Sequence, residues 1–202
     1  MKRIKPSEGN KTFCMAPWTH TYLSPQMERR LCCSSREDSK TFNQYIDLNK
    51  KSQPFSPDTL EEHWNSEYMK KIRVDLMQGN EIPQCQVCSG KLLSVATYRS
   101  HFNKLYEEQI NEAFDSTRDD GHTNMKVTSW DYRFNNLCNF KCRMCGDMLS
   151  SSWEAENKET GHWNPEDPAQ MWMRKDIKAE IDQFHDKHII KEFKDAVESK
   201  SI

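Results

Sequence analysis

The sequence has few glycines and no long apolar run. Only 6 of its 202 residues are glycine, and no two glycines are adjacent. Apolar residues make up 35% of the chain, which is low beside the ~45–50% that is usual for globular domains, so we expect a modest core. No apolar stretch approaches the ~20 residues of a membrane-spanning helix, and the sequence therefore predicts no membrane partner.

An excess of charge of one sign and an export signal are also missing. The formal net charge is −2 and the pI is near 6.4, which gives no reason to expect nucleic acid as a partner. No apolar segment follows the charged residues 1–6, so secretion is not expected. We predict a cytoplasmic chain of one or two domains, whose eight cysteines favour metal ligation over a disulfide framework.

Three of these cysteines stand within eight residues, at Cys138, Cys142 and Cys145. A loop with this spacing can point all three thiols at one ion or cluster. A closed structural metal site uses four protein ligands, whereas three ligands leave a position open for a reactive one. Thiolates are the usual ligands of iron–sulfur clusters. The alternative reading is a fragment of a zinc knuckle.

The run Cys138-x3-Cys142-x2-Cys145, together with residues 130–137 before it, resembles the CxxxCxxC loop of radical S-adenosylmethionine (SAM) enzymes. The resemblance implies that the three cysteines bind a 4Fe–4S cluster whose fourth iron binds SAM. It also implies a reductase as electron donor and a 5′-deoxyadenosyl radical that modifies a peptide or a small-molecule substrate. Met144 stands where the family usually has an aromatic residue beside the adenine, and we expect it to substitute there.

A second group of cysteines begins at a predicted β-hairpin. Residues 19–23 and 29–33 are short extended runs, and Pro25 between them favours a turn. The hairpin would bring Cys14 within reach of Cys32 or Cys33. Successive strand residues point to opposite faces, so we expect Cys32 to be a ligand and Cys33 to pack, with the reverse assignment left open.

A helix is predicted between this hairpin and a further cysteine pair. It starts at a capping box headed by Asp58 and ends at Gly79. His63 flanks its apolar stripe and is predicted to lie on the surface. The stripe recurs every four residues, which is typical of a packing face rather than a cofactor site: Leu60, Trp64, Tyr68, Ile72 and Leu76.

The cysteine pair after this helix is Cys85-x2-Cys88, and two thiolates at this spacing can grip one metal centre. A zinc finger does not fit, because no second histidine follows His101 at the required distance. A thioredoxin-type redox pair is weakly supported, because no strand leads into it.

The order Cys14-x12-Met27-x4-Cys32, followed by the helix and Cys85-x2-Cys88, resembles the SPASM and twitch domains, which carry auxiliary iron–sulfur clusters. The resemblance implies one auxiliary cluster on these four cysteines, with structural zinc in the same ligands as the alternative. Met27 departs from the family, which has a glycine there. A turn position with positive φ would suit glycine and strain methionine.

The remaining pattern suggests two parts. Apolar spacing over 91–115 predicts a long helix, the polar stretch 115–124 predicts a linker, and alternation over 126–134 predicts a strand that leads into the cysteine loop. We therefore predict an α/β chain with a mostly helical auxiliary-cluster domain at 1–120, containing a small β-hairpin. The start of an incomplete radical SAM (β/α) barrel at 121–202 would follow, with two helices near its end.

The barrel is expected to be incomplete for two reasons. The family uses a glycine-rich run to hold the amino group of SAM, and here the last glycine is Gly161. A full barrel also needs on the order of 200 residues, far more than the sequence offers after Cys145. The alternative function is a non-catalytic iron–sulfur or zinc-binding module, a remnant or split piece of such an enzyme. A nucleic-acid-binding zinc protein is disfavoured by the charge balance and the absent finger histidine.

Overall fold

The computed structural model describes residues 2–37, 57–89, 97–167 and 170–198. The helices in these ranges are α1 Ala16–Thr19, α2 Leu60–Trp64, α3 Glu67–Gln78, α4 Gln86–Ser89, α5 Tyr98–Leu105, α6 Ile110–Ser116, α7 Ser151–Glu159, α8 Lys175–Phe184 and α9 Ile190–Glu198. The strands are β1 His20–Leu23, β2 Arg29–Arg30 and β3 Ser129–Tyr132. The fold is therefore mixed α/β and mostly helical, as the sequence predicts.

The three strands form one sheet in the order β2-β1-β3. β1 and β2 are antiparallel, with Leu23 opposite Arg29, so the predicted hairpin is confirmed with shorter strands. β1 and β3 are parallel, with His20 opposite Ser129. The sheet thus joins strands from both sides of residue 120, and the domain boundary stays a prediction.

Met27 occupies the hairpin turn in a left-handed conformation, with φ of 63°. Its N–H bonds to the carbonyl of Ser24 at 2.9 Å, and the Ser24 hydroxyl accepts from the N–H groups of Gln26 and Glu28. The Met27 side chain is fully buried. Burial of its apolar surface offsets a backbone strain of about 1–2 kcal/mol, which explains how methionine fits where the twitch pattern has glycine.

The predicted helix between Asp58 and Gly79 is broken in two. Its capping box starts one residue later than predicted, because Thr59 and Glu62 cap each other's backbone N–H groups. The chain leaves helical geometry at Asn65, and α3 begins at a second cap, Ser66, whose side chain accepts from the backbone of α3. Gly79 ends α3 with a positive φ, as predicted.

A buried arginine occupies the break. Arg73 is fully buried and donates to the carbonyls of Pro17 and Trp64, which lie at 2.9 and 2.7 Å, and to that of Gly121. A further donor binds the Asn65 side chain. The break frees the carbonyl of Trp64 for this bond, and Arg73 thereby ties α1, α2 and the segment before β3 together.

The prediction that His63 lies on the surface is wrong, because only 2% of the residue is exposed. The break at Asn65 interrupts the four-residue period. His63 would flank the apolar stripe of one continuous helix, but it lies near the end of the shorter helix α2, where it is buried. The His63 ring packs near Tyr68, and burial lowers the pKa of His63 to about 3.

Two apolar cores lie in the described residues. The N-terminal core packs α1, α3, α5 and α6 together, and includes Phe13, Met15, Trp18, Met69, Leu76, Phe102 and Phe114. The C-terminal core packs the hairpin against the end of the chain, and includes Leu23, Met27, Trp172, Ile177, Ile181 and Ile189. The hairpin thus connects the early and late parts of the sequence.

The other helices differ in part from the predictions. The long helix predicted over 91–115 is two helices, α5 and α6, joined by a 3-10 turn at Glu107–Gln109, and its first residues, 91–96, lie outside the described ranges. The two late helices are α8 and α9, joined by a π-helical turn at His185–Ile189. α7 was not predicted. In the part of the chain described, no helix has the length and apolarity to cross a bilayer.

Candidate metal centres

The first three cysteines of the predicted auxiliary site come together in the structure. Cys14 and Cys85 are buried members of the N-terminal core, and Cys32 packs against that core. Cys88 is also buried, and lies one turn after Cys85 in α4. All eight cysteines of the chain are free thiols. The fold therefore gathers thiols from three separate segments of sequence.

Burial makes these thiols poor acids. It raises the pKa of Cys32 to about 12 and that of Cys85 to about 11. The pKa of Cys14 is raised further, again mainly by burial and in part by the neighbouring thiols of Cys85 and Cys32. At neutral pH the thiols of Cys14, Cys32 and Cys85 therefore stay protonated when no metal is bound. A bound metal ion would supply the positive charge that favours their deprotonation.

Hydrogen bonds fix the turn that carries Cys32. The Ser35 hydroxyl donates to the Cys32 carbonyl at 2.7 Å and accepts from the Cys32 N–H. Glu37 accepts from the Ser35 hydroxyl, the Leu31 N–H and the Tyr68 hydroxyl. Burial raises the pKa of Glu37 above its ordinary value. This network orients the second ligand segment, and its members carry no recognisable sequence signal.

Cys33 has different surroundings from Cys32. A hydrogen bond with the Cys33 thiol raises the pKa of the Tyr98 hydroxyl, and the Cys33 thiol also acts on the pKa of Tyr22 and Arg133. The two adjacent thiols thus have different surroundings, but both lie in a turn after β2, which ends at Arg30, and not in the longer strand that the sequence predicts. Which of them binds metal stays a prediction.

The second candidate centre, the loop from 136 to 146, is open to solvent. Cys142 is exposed, and Cys138 and Cys145 are half-buried. Met144 is 96% exposed, so nothing in the described chain covers the side chain expected beside the adenine. A turn closed by the Cys145 N–H and the Cys142 carbonyl, at 3.0 Å, brings the last two cysteines onto one bend.

The N-terminus of α7 holds the backbone of this loop. The Ser151 N–H donates to the Asn136 carbonyl at 2.7 Å, and its hydroxyl donates to the Cys138 carbonyl at 3.0 Å. The Ser150 hydroxyl donates to the Phe140 carbonyl at 2.6 Å. The Trp153 indole N–H donates to the Cys142 carbonyl at 3.1 Å. The anchors use carbonyl groups and leave the thiols free to face outward.

A buried polar network fixes where the loop begins. The Asn136 side chain donates to Glu154 at 2.7 Å and to the Asp147 carbonyl at 3.0 Å, so it spans both ends of the loop. Lys158 and Lys178 also donate to Glu154. Burial tends to raise the pKa of Glu154, but its hydrogen bonds to these partners outweigh that effect and lower it. The carboxylate is thus held in its charged form.

Sequence reasoning identified the cysteines and missed these supporting residues. Serine is a common N-cap residue, so the run of serines at 150–152 offered a usable signal for the start of α7. Asn136 and Trp153 offered none, because their roles depend on a helix folding back over the loop.

The donor chemistry at both sites fits a thiophilic metal centre, since reduced thiols are the ligands that iron–sulfur clusters and zinc prefer. Within the described ranges, however, no three Cys, His, Asp or Glu side chains stand as a group that could hold a metal ion. Comparisons with known proteins found no matching family model, curated protein or solved structure. The resemblance to radical SAM proteins therefore depends on the cysteine motifs and their neighbouring residues.

Proposed function

We propose that this chain is an iron–sulfur protein of the radical SAM type, or the N-terminal portion of one. Cys138, Cys142 and Cys145 would hold the SAM-binding 4Fe–4S cluster. The observation that supports the proposal is the loop itself, whose backbone carbonyls are anchored by α7 and which carries three cysteines that are exposed or half-buried. When bound, the cluster supplies the electron that breaks a carbon–sulfur bond of SAM, giving methionine and a 5′-deoxyadenosyl radical that abstracts a substrate hydrogen atom.

The chain's own residues would orient this site. β3 delivers the loop from its C-terminal end, where (β/α) barrels place their functional groups, and its parallel pairing with β1 suits the first strand of such a barrel. The exposed Met144 side chain would lie against the adenine of SAM. The substrate would be a peptide or a small molecule, the electron donor a reductase, and the compartment the cytoplasm.

Cys14, Cys32, Cys85 and Cys88 would hold the auxiliary centre. Their support is the shared burial of the first three in the N-terminal core and the position of Cys88 one turn from Cys85. A protein interior around such a centre restricts solvent access, which is one of the factors that set its reduction potential.

A second candidate function, a non-catalytic iron–sulfur or zinc-binding module, is favoured by one observation. The residues after the loop contain no adjacent glycines, and the last glycine, Gly161, is exposed at the end of α7. The glycine run that the family uses for the SAM amino group therefore has no counterpart among residues 146–202. This module would keep its metal centres and bind no SAM.

Anaerobic reconstitution with iron and sulfide separates the two. We expect about seven to eight irons per chain from the two ligand sets. For a radical SAM protein, adding SAM to the reduced sample changes the electron paramagnetic resonance (EPR) spectrum of the loop cluster, and 5′-deoxyadenosine forms. Clusters whose EPR spectrum does not change when SAM is added would favour the non-catalytic module. If zinc instead occupied all seven cysteines, and the sample had no visible absorbance, both cluster assignments would be overturned.

Single substitutions, one in each site, show which site gives the SAM-dependent spectral change and how much iron each site binds. Cys142→Ala should remove the SAM-dependent spectral change and roughly half of the iron, since each site binds about four irons. Cys85→Ala should remove the other half and leave the response to SAM. Loss of all iron in Cys142→Ala would contradict the assignment of two independent centres.

A further inference from the structure

α5 lies between two of the segments that carry auxiliary-site cysteines. Its residue Asn103 binds both sides of Cys14: the side-chain amide donates to the Phe13 carbonyl at 2.9 Å, and the Met15 N–H donates to the amide oxygen at 2.8 Å. One side chain thus fixes the backbone on both sides of a predicted ligand.

Arg99 stands one turn before Asn103 on the same face of α5. Its Nη1 donates to the carbonyl of Lys11 at 2.9 Å, and its Nη2 donates to the hydroxyl of Ser89 at 2.9 Å. Ser89 directly follows Cys88. Arg99 therefore ties the approach to the first ligand to the residue after the last one, across more than 70 positions of sequence.

The third donor of Arg99 is unused within the described chain. Its Nε is buried without a hydrogen-bond partner, although only 9% of the residue is exposed. Among the described residues no carboxylate forms an ion pair with the guanidinium. Arg99 forms a side-chain hydrogen bond with the Cys85 thiol, and its positive charge also acts on the Cys14 thiol. The charge is therefore directed at thiols, and Glu37 is the acidic group that faces the same cluster.

We propose that Arg99 and Asn103 are positioning residues of the auxiliary metal site, which hold the Cys14 and Cys88 segments together and present a positive charge to the metal-bound thiolates. The proposal rests on the proposed function of the four buried cysteines and does not involve the loop at 138–145. Groups that orient metal ligands commonly change metal affinity by about 10–100-fold when removed, and a thiolate centre gains from a buried cation.

The test uses the full chain with the three loop cysteines replaced by alanine, so that only the auxiliary site binds metal. The variants are Asn103→Leu, Arg99→Met and Arg99→Lys, and the control is Lys104→Met, which removes an exposed charge from the same helix. Affinity for zinc ions alone is measured by competition with a chelator. After loading with iron and sulfide, the reduction potential is measured by an EPR-monitored titration.

We expect Asn103→Leu and Arg99→Met each to weaken zinc binding by about 10–100-fold, with no change in Lys104→Met. Arg99→Met should also lower the reduction potential, because the cation stabilises the more negative reduced state. Arg99→Lys keeps the charge, so it should weaken zinc binding while leaving the potential near that of the parent chain. Affinities and potentials equal to those of Lys104→Met in all three variants would overturn the proposal.

Hydrogen exchange of the metal-free chain keeps the two proposals distinguishable. The Met15 amide should lose protection in Asn103→Leu, whether or not metal binds, and unchanged protection would contradict the role given to Asn103. A parent chain that binds neither zinc nor iron would instead defeat the proposed auxiliary site. If circular dichroism shows that Arg99→Met is unfolded, the zinc affinity of Arg99→Lys decides the role of Arg99. A zinc affinity of Arg99→Lys equal to that of the parent chain would contradict that role.

Discussion

The two cysteine regions use the same ligand chemistry in opposite surroundings. Cys14 and Cys85 are inside the N-terminal core, whereas Cys142 is on an exposed loop that is held by hydrogen bonds to its backbone and to the Asn136 side chain. A buried site is kept in place by packing, so its thiols become accessible only when the structure opens. An exposed site is kept in place by a few hydrogen bonds and stays accessible to a ligand. This difference is the one expected for the sealed auxiliary centre and the open SAM-binding centre that we propose.

The largest effect is expected when Arg73, the buried arginine that holds the N-terminal core together, is replaced. Arg73→Met should lower the free energy of unfolding by about 3 kcal/mol, because it leaves buried carbonyls without donors. Part of the loss is offset, since burial of the arginine charge is itself unfavourable and lowers the pKa of Arg73 to about 9. Urea denaturation measures the effect. Lys71→Met, on an exposed face of the same helix, should change stability by less than about 0.5 kcal/mol.

Thiol alkylation tests the comparison directly. In the metal-free chain at neutral pH, Cys142 should react with iodoacetamide at least about 100-fold faster than Cys14, which corresponds to an opening cost of about 2.7 kcal/mol. Burial and a raised pKa both slow Cys14. Mass spectrometry of timed samples gives the two rates. Equal rates would mean that the N-terminal thiols are not sealed, and Arg73→Met should bring the rates closer together.

Acid should weaken the sheet that lies between the two regions. Burial lowers the pKa of His20 from 6.5 to about 4, and its Nδ1 lies 2.9 Å from the Ser129 hydroxyl across the β1–β3 pair. Below pH 6.5 the unfolded chain gains a proton that the folded chain does not. The free energy of unfolding should therefore fall by about 1.4 kcal/mol per pH unit for this group between pH 6.5 and about 4.

Urea titrations at pH 7, 6 and 5 measure this slope. His20→Gln should reduce the dependence of the unfolding free energy on pH by the contribution of one histidine. The contribution of His63 should remain, because burial lowers its pKa as well. His101→Gln is the control, because His101 is exposed and lies on α5, outside the sheet. A slope that does not respond to His20→Gln would contradict the buried neutral histidine.

The smallest effect is expected at the loop anchor. Trp153→Phe keeps an aromatic ring and removes the hydrogen bond to the Cys142 carbonyl, at a cost of about 0.5–1.5 kcal/mol. Because the loop is at the surface, the loss should be local. Hydrogen exchange should speed up over residues 139–145 and not in the N-terminal core. Faster exchange in both regions would mean that they open together.

The sequence predicts local features well and their interruptions poorly. Pro25 and the alternation around it predict the hairpin, and Gly79 predicts the end of α3, because each signal acts within a few residues. The break at Asn65 depends on Arg73, eight residues away, reaching back to a freed carbonyl, and no periodicity reveals that. His63 was misplaced for the same reason.

The candidate sites also contain residues that the sequence reveals and residues that it does not. The cysteines are recognisable because metal ligation needs one residue type at fixed spacing. Their supports are not, because Asn103, Arg99 and Trp153 act on residues far along the chain through ordinary hydrogen bonds. Asparagine at a helix surface has no pattern that distinguishes a positioning role from a solvated one.

The parallel pairing of β1 with β3 has a consequence for how the chain reaches this structure. Residues 20 and 129 pair across 109 positions, and contacts between such distant positions form slowly because a large loop must close first. The central strand of the sheet therefore leaves the ribosome long before its second neighbour exists. During that interval the early part of the chain lacks the β1–β3 contacts of the finished molecule, which makes it the period when metal would most easily enter the auxiliary site that we propose.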